Sequence, residues 1–166
     1  MLNSQSVNKL KKDLLNSIEE KTLELTSLSD KIWEAAEVAF REDKSAEYLI
    51  EYAEANGLTI ERGLAGMPTA FTASYGKGKP VIGIIGEFDA LPGLSQTTAP
   101  YRDELIEGGA GHGCGHNLFG TASLGAAIAI KELIEKGSIE GTVKFFGTPA
   151  EEKFFGKLWM IREGVF

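Results

Sequence analysis

The sequence predicts an α/β fold in which helices cover a mixed sheet, and three observations carry that expectation. Two short apolar runs, residues 80–86 and 142–148, have the length and composition of buried strands. Between them, residues 121–136 place Ala, Leu and Ile at helical spacing, which gives the order strand, loop, helix, strand. The glycines, 20 in all, concentrate after residue 56, so the first third reads as helical and the rest as loop and strand.

Taken in order, Leu14, Ile18, Leu25, Leu28, Ile32, Ala36 and Ala39 keep one helical stripe and predict a single long amphipathic helix. A second helix is expected over 45–56, with Asp43 as its cap and Gly57 as its stop. Residues 58–60 and 69–75 read as strands, followed by a turn at Gly76, Lys77 and Gly78. The strand at 80–86 is nearly all apolar, which predicts cover on both faces. Gly137 stops the helix at 121–136, Pro149 closes the strand at 142–148, and a last helix is expected over 157–162. No repeat or low-complexity linker interrupts the chain, so residues 1–166 are expected to form one unit.

Composition narrows the function classes. The formal net charge is −7, which argues against nucleic acid or an anionic membrane as partner, because phosphate binding needs clustered Lys and Arg. A single cysteine excludes an internal disulfide. The first dozen residues lack the apolar core of a signal peptide, and no apolar run reads as long enough to span a bilayer. The cytoplasm is the expected compartment.

Reactive side chains follow the buried strands. Sheets of this kind bind ligands beyond the carboxyl ends of their strands. Glu87 and Asp89 follow the first apolar strand, and Glu151 and Glu152 follow the second. Between them, both histidines of the chain and its one cysteine fall together at His112, Cys114 and His116. Glycines at 109, 111, 113 and 115 let the backbone wrap closely there. Cysteine and histidine are the soft and borderline donors that zinc favours. A thiolate is also favoured at a helix amino terminus, which Asn117 is placed to start. The plainer alternative is a glycine-rich turn with a buried thiol and hydrogen-bonded imidazoles; the Cys-x-His spacing matches no standard zinc finger.

Glu151 and Glu152 are adjacent and point in different directions, so one can bind a metal while the other accepts a proton from water as general base. Alternatively, the pair marks a helix amino terminus, where the macrodipole favours Glu. Asp89 or Glu87 can orient a ligating imidazole by accepting its other N–H, or can simply form a turn with the Pro-Gly that follows.

Three ordered motifs, Gly-Glu-Phe-Asp-Ala-Leu-Pro-Gly-Leu-Ser-Gln at 86–96, Gly-His-Gly-Cys-Gly-His-Asn-Leu at 111–118 and Thr-Pro-Ala-Glu-Glu at 148–152, resemble the M20 metallopeptidase family. The closer likeness is to its amidohydrolase branch, which includes aminoacylases, auxin-conjugate hydrolases and aminobenzoyl-glutamate hydrolases. The resemblance implies a zinc-peptidase-like catalytic domain. It implies Cys114, His116 and Glu152 as metal ligands, Glu151 as general base and Asp89 behind the ligands. Glu87 falls where other branches carry a histidine ligand, and Asn117 replaces an aspartate usual in the branch. Family members are longer, with an inserted lid and dimerisation domain and a returning catalytic segment that carries further histidines. The resemblance therefore implies an amino-terminal part of the catalytic domain, inactive alone. The full-length form is expected to hold two divalent ions, zinc or manganese, and to be a homodimer or hetero-oligomer.

The leading expectation is metal-assisted hydrolysis of an amide bond in an N-acyl amino acid or small peptide-like substrate of the aminobenzoyl-glutamate type. Two other classes stand beside it: cysteine hydrolysis with Cys114 as nucleophile, and a non-catalytic metal-binding or scaffolding subunit that works with a partner chain.

Overall fold

The computed structural model describes residues 4–166. Its helical layer opens with α1 (Ser4–Glu20) and α2 (Thr22–Ala35), so the single long helix is divided at Lys21. The Thr22 hydroxyl donates back to the Glu19 carbonyl at 2.8 Å, and the Lys21 N–H turns to the Ile18 carbonyl at 3.1 Å. Such back-bonding competes with the regular helical ladder, and the ladder breaks there. Ala36 closes α2 in a left-handed conformation (φ 42) with its N–H on the Ile32 carbonyl. Ala36 and Ala39 therefore leave the stripe that spacing alone assigned them.

That exit brings Glu37 to the start of α3 (Asp43–Ala55). Its carboxylate accepts the N–H of Lys44 at 3.1 Å, and both the N–H and the hydroxyl of Ser45 at 2.8 Å. Asp43 is thus the first residue of the helix rather than its cap; the capping carboxylate comes from before the helix, where the orphan N–H groups face it. Gly57 (φ 79) ends α3 as expected and lets the Leu58 N–H reach the Ala53 carbonyl at 3.1 Å.

The sheet contains β1 (Thr59–Arg62), β2 (Phe71–Lys77), β3 (Val81–Gly86) and β4 (Gly141–Gly147) in the order β1-β2-β4-β3. The β1–β2 and β2–β4 pairs are antiparallel and β3–β4 is parallel, so the sheet is mixed. Gly76 and Lys77, expected in a turn, pair within β2 opposite Thr142 and Gly141. A parallel pair needs a crossover, and α4 (His116–Glu135) supplies it. The helix begins five residues earlier than the Ala-rich pattern predicts. By length and composition α4 would also pass for a membrane span, contrary to the sequence expectation; here it is the core helix, packed on the sheet and against α1, α2 and α3.

Leu28, Ile32, Leu49, Phe71, Phe88, Leu124, Ile128, Val143 and Phe145 form the main core between helices and sheet. Phe71 packs its ring against both Phe88 and Phe145, at centroid distances of 6.2 and 5.7 Å. Removing each such ring from water is worth roughly 1.5–3 kcal/mol. A smaller cluster of Met67, Ala70, Phe146 and Met160 lies apart, near α6 (Gly156–Arg162).

The expectation that residues 80–86 are covered on both faces does not hold among the described residues. β3 is an edge strand, and Val81, Ile82 and Ile85 are exposed. Ile84 packs against the main core, and among the described residues no strand pairs with the other edge of β3.

Candidate metal centre

The parallel pairing of β3 with β4 decides where the reactive groups meet. Gly86 and Gly147, the last residues of the two strands, are register partners, so both strands discharge their next residues at the same edge. The Thr148 N–H and hydroxyl both bond the Gly86 carbonyl, at 2.9 and 3.2 Å, and keep the two exits together. Glu87 and Asp89 therefore face α5 (Glu151–Phe154), the single turn that carries both glutamates.

The loop before α4 closes over this edge. Gly111 and Leu91 exchange backbone hydrogen bonds at 3.0 Å, and a Cβ on Gly111 would lie 2.1 Å from the Leu94 carbonyl oxygen. Only glycine permits that approach. The bridge delivers Cys114 and His116 to the glutamates.

His116 is the centre of the cluster. Its side chain is 4% exposed. Nδ1 lies 2.9 Å from Asp89 Oδ1 and 3.1 Å from the Asp89 carbonyl oxygen. Both neighbours are acceptors, so Nδ1 is a donor, and Nε2 is the nitrogen that would offer its lone pair to an ion once the ion takes the place of any proton shared with the carboxylates. Nε2 faces Glu87 Oε2 at 3.1 Å, Glu152 Oε1 at 3.8 Å and Glu151 Oε2 at 3.9 Å. Asp89, itself buried, also accepts the Glu152 N–H at 2.9 Å, so one carboxylate orients both an imidazole and a glutamate.

Two donor groups result, each with its ligand atoms within 4.8 Å of one another: Cys114, His116 and Glu152, and Glu87, His116 and Glu151. Every residue expected at the site is present at this edge. His112 is the exception among the loop's reactive side chains: its Nε2 donates to the Ile32 carbonyl at 3.1 Å, and it tethers the loop to α2. Asn117 does likewise, donating to the Ser29 hydroxyl at 3.0 Å.

The electrostatics favour a cation. Burial alone would lower the pKa of His116, but the Asp89 hydrogen bond and the charges of Asp89, Glu87 and Glu152 raise it overall. Burial alone would raise that of Asp89, and the His116 and Glu152 N–H bonds lower it overall. Cys114 is exposed, yet partial desolvation and then the charge of Glu152 push its thiol above the usual range. Cys114 does lie just before the amino terminus of α4, and an ion bound there would have to displace the thiol proton that these surroundings favour. Glu152 Oε1 is buried with no hydrogen-bond partner. An orphaned buried carboxylate oxygen beside a thiol and an imidazole lone pair fits a divalent ion, which would satisfy all three donors.

Two residues that hold the geometry of this edge were not legible in the sequence. Glu42, fully buried, accepts the Ala150 N–H at 2.8 Å and holds the left-handed turn (φ 58) that aims Glu151 and Glu152. Lys157, in the first turn of α6, bonds Glu87 Oε1. Glu42 sits in a charged run that reads as a solvated turn, and Lys157 is a lone lysine that reads as part of a terminal helix.

Residues 83–166 match the sequence profile of peptidase family M20/M25/M40. The chain is 47% identical over 152 residues to a subunit of the p-aminobenzoyl-glutamate hydrolase of Escherichia coli (strain K12), covering 91% of this chain and 32% of that protein. It is 30% identical to the Xaa-Arg dipeptidase of Mus musculus, covering 95% of this chain and 36% of that one. It thus spans about a third of the length of these relatives. A dinuclear metal-binding peptidase of the M20 family from Bacillus subtilis superposes with a TM-score of 0.68 at 27% identity, over 85% of this chain and 39% of that one. Motifs, fold and profile agree: the chain belongs to the peptidase family M20/M25/M40.

Proposed function

We propose that this chain supplies the metal-binding edge of an amidohydrolase, and that the observation carrying this reading is the convergence of Cys114, His116 Nε2 and the orphaned Glu152 Oε1. A divalent ion held there would supply Lewis acidity, lowering the pKa of water and polarising a carbonyl. The chain's own residues do the rest. Asp89 fixes the His116 tautomer so that Nε2 is available. Glu151, with its side chain one-third exposed against 15% for Glu152, is the carboxylate open to substrate. Its carboxylate takes the proton of the attacking water and passes it to the leaving amine nitrogen.

The substrate class is an N-acyl amino acid or small peptide-like amide. The names of two relatives, one for p-aminobenzoyl-glutamate and one for Xaa-Arg dipeptides, support it: both are amides of an amino acid. Zinc suits the thiol and imidazole, and manganese suits the carboxylates. The described residues offer one imidazole nitrogen to two donor groups, so a second ion needs donors from outside these residues. The chain alone is accordingly inactive and works within a larger chain or an assembly of chains, homodimer or hetero-oligomer. Cysteine hydrolysis is the weaker reading, because partial desolvation and then the charge of Glu152 raise the pKa of the Cys114 thiol, which disfavours a free thiolate nucleophile.

Cobalt(II) titration tests the metal reading. A thiolate-to-cobalt absorption band in the near ultraviolet is expected with the wild-type chain and is lost in Cys114→Ala; absence of the band in the wild type refutes the assignment. At 100 times its dissociation constant, the ion should add about 2.7 kcal/mol to folding stability, and a chelator should remove it. Asp89→Asn leaves every ligand in place but loosens the imidazole and Glu152, and is expected to weaken metal affinity about 10–100-fold. Unchanged affinity would show that Asp89 orients nothing.

A further inference from the structure

The two donor groups cannot both be served. Nδ1 of His116 is spent on Asp89, and Nε2 has one lone pair, so an ion on Cys114 and Glu152 and an ion on Glu87 and Glu151 compete for the same nitrogen. Geometry alone does not rank them: Nε2 is nearer Glu87 than Glu152, at 3.1 against 3.8 Å. What distinguishes them is a charge. Glu87 Oε1 is paired with the Lys157 ammonium, whereas among the described residues no Lys or Arg pairs with Asp89, Glu151 or Glu152.

We propose that Lys157 is a positioning residue that directs the first divalent ion to the Cys114–His116–Glu152 group by occupying Glu87. A cation bound through Glu87 Oε2 would share one carboxylate with an ammonium on its other oxygen. The two positive charges repel across a partly buried site, where screening is weak. On the thiol side, among the described residues, no Lys or Arg is paired with Glu152. The Lys157 pairing holds Glu87 back for an ion that arrives with further donors. Lys157 thereby sets an order of loading: the thiol side first, the Glu87–Glu151 side second. This inference rests on the metal reading above and adds to it a residue outside both donor groups.

The experiment is a cobalt(II) titration of the wild-type chain and its variants, following bound ion by calorimetry and thiolate ligation by the near-ultraviolet band. In the wild type, the first equivalent should develop the band in step with binding. Lys157→Met should lower the band per bound ion to about half or less, because freed Glu87 captures ion away from the thiol. Lys157→Arg keeps the charge and should restore the wild-type ratio. Glu87→Gln should leave the ratio unchanged, and Lys157→Met combined with Glu87→Gln should bring it back, since the competing group is gone. Retention of the wild-type ratio by Lys157→Met would overturn the inference while leaving the metal reading intact. So would a fall in the ratio with Glu87→Gln, since Glu87 would then serve the thiol-side ion. A wild-type chain that binds cobalt without any thiolate band would instead defeat the metal reading itself.

Discussion

Glu151→Gln in the complete enzyme is expected to lower kcat/KM by about 10²- to 10⁴-fold while the cobalt–thiolate band persists. The adjacent glutamates differ in ways that separate their roles. Glu152 has its backbone N–H on Asp89 and a buried, partnerless Oε1, which are the marks of a group waiting for an ion. Glu151 is the more open of the two and reaches Nε2 only at 3.9 Å. Glutamine preserves the shape and one acceptor oxygen of Glu151 but cannot take a proton at neutral pH. Loss of turnover with metal content unchanged therefore isolates proton transfer. The rival role is as a ligand, because Glu151 also belongs to the group with Glu87 and His116. In that case Glu151→Gln would lower the number of ions bound as well as the rate. Near-normal turnover would dismiss both roles.

The fold class and the gathering of reactive residues at one edge were legible in the sequence, whereas the ends and caps of individual elements were not. His112, Cys114, His116, Glu151 and Glu152 stand out because rare or paired reactive residues follow apolar strands, and the parallel β3–β4 pair does bring those strand ends together. What failed was local. Asp43 looked like a helix cap because capping is usually read from adjacent residues; Glu37 caps from before the helix because Ala36 turns the chain back. The helical stripe through residue 39 ran past two breaks because apolar spacing carries no record of a threonine bonding backwards. The apolar run at 80–86 suggested cover on both faces, yet strand order puts it at an edge, and order depends on pairing between distant residues that periodicity does not encode. His112 shares the motif with the expected ligands without an assigned role, and only the packing of α2 against the loop shows it bonded to the Ile32 carbonyl. Lys157 reads as part of a terminal helix because its partner lies 70 residues away.

Glu42 was the deepest omission, and it yields a second large effect. It sits in the charged run Arg41, Glu42, Asp43, Lys44, which reads as a solvated turn, yet it is completely buried. Burial outweighs its backbone hydrogen bonds and raises its pKa from 4.5 to about 7. Below pH 4.5 both folded and unfolded chains hold the proton. Between 4.5 and about 7 the folded chain holds it and the unfolded chain does not, so the folded state binds more protons and stability falls as pH rises through that window. From about pH 5 to pH 8 this one group should remove about 2–3 kcal/mol. Gln stands in for the protonated acid: its oxygen can accept the Ala150 N–H and its amide can donate to the Thr69 hydroxyl, 3.4 Å from Glu42 Oε2. Glu42→Gln should therefore match the wild type near pH 5 and exceed it at about pH 8 by about 2–3 kcal/mol in urea unfolding, a gain of roughly 5–10 °C in Tm. Parallel stability curves for the two proteins would mean that Glu42 does not titrate in this range. Glu42→Ala is the complementary variant. It leaves the Ala150 N–H without its acceptor, which costs about 1–3 kcal/mol at every pH. Because Ala150 sets the turn that aims Glu151 and Glu152, that variant should also weaken cobalt binding, whereas Glu42→Gln should not. The buried acid thus ties the stability of the fold to the placement of the two carboxylates on which the site depends.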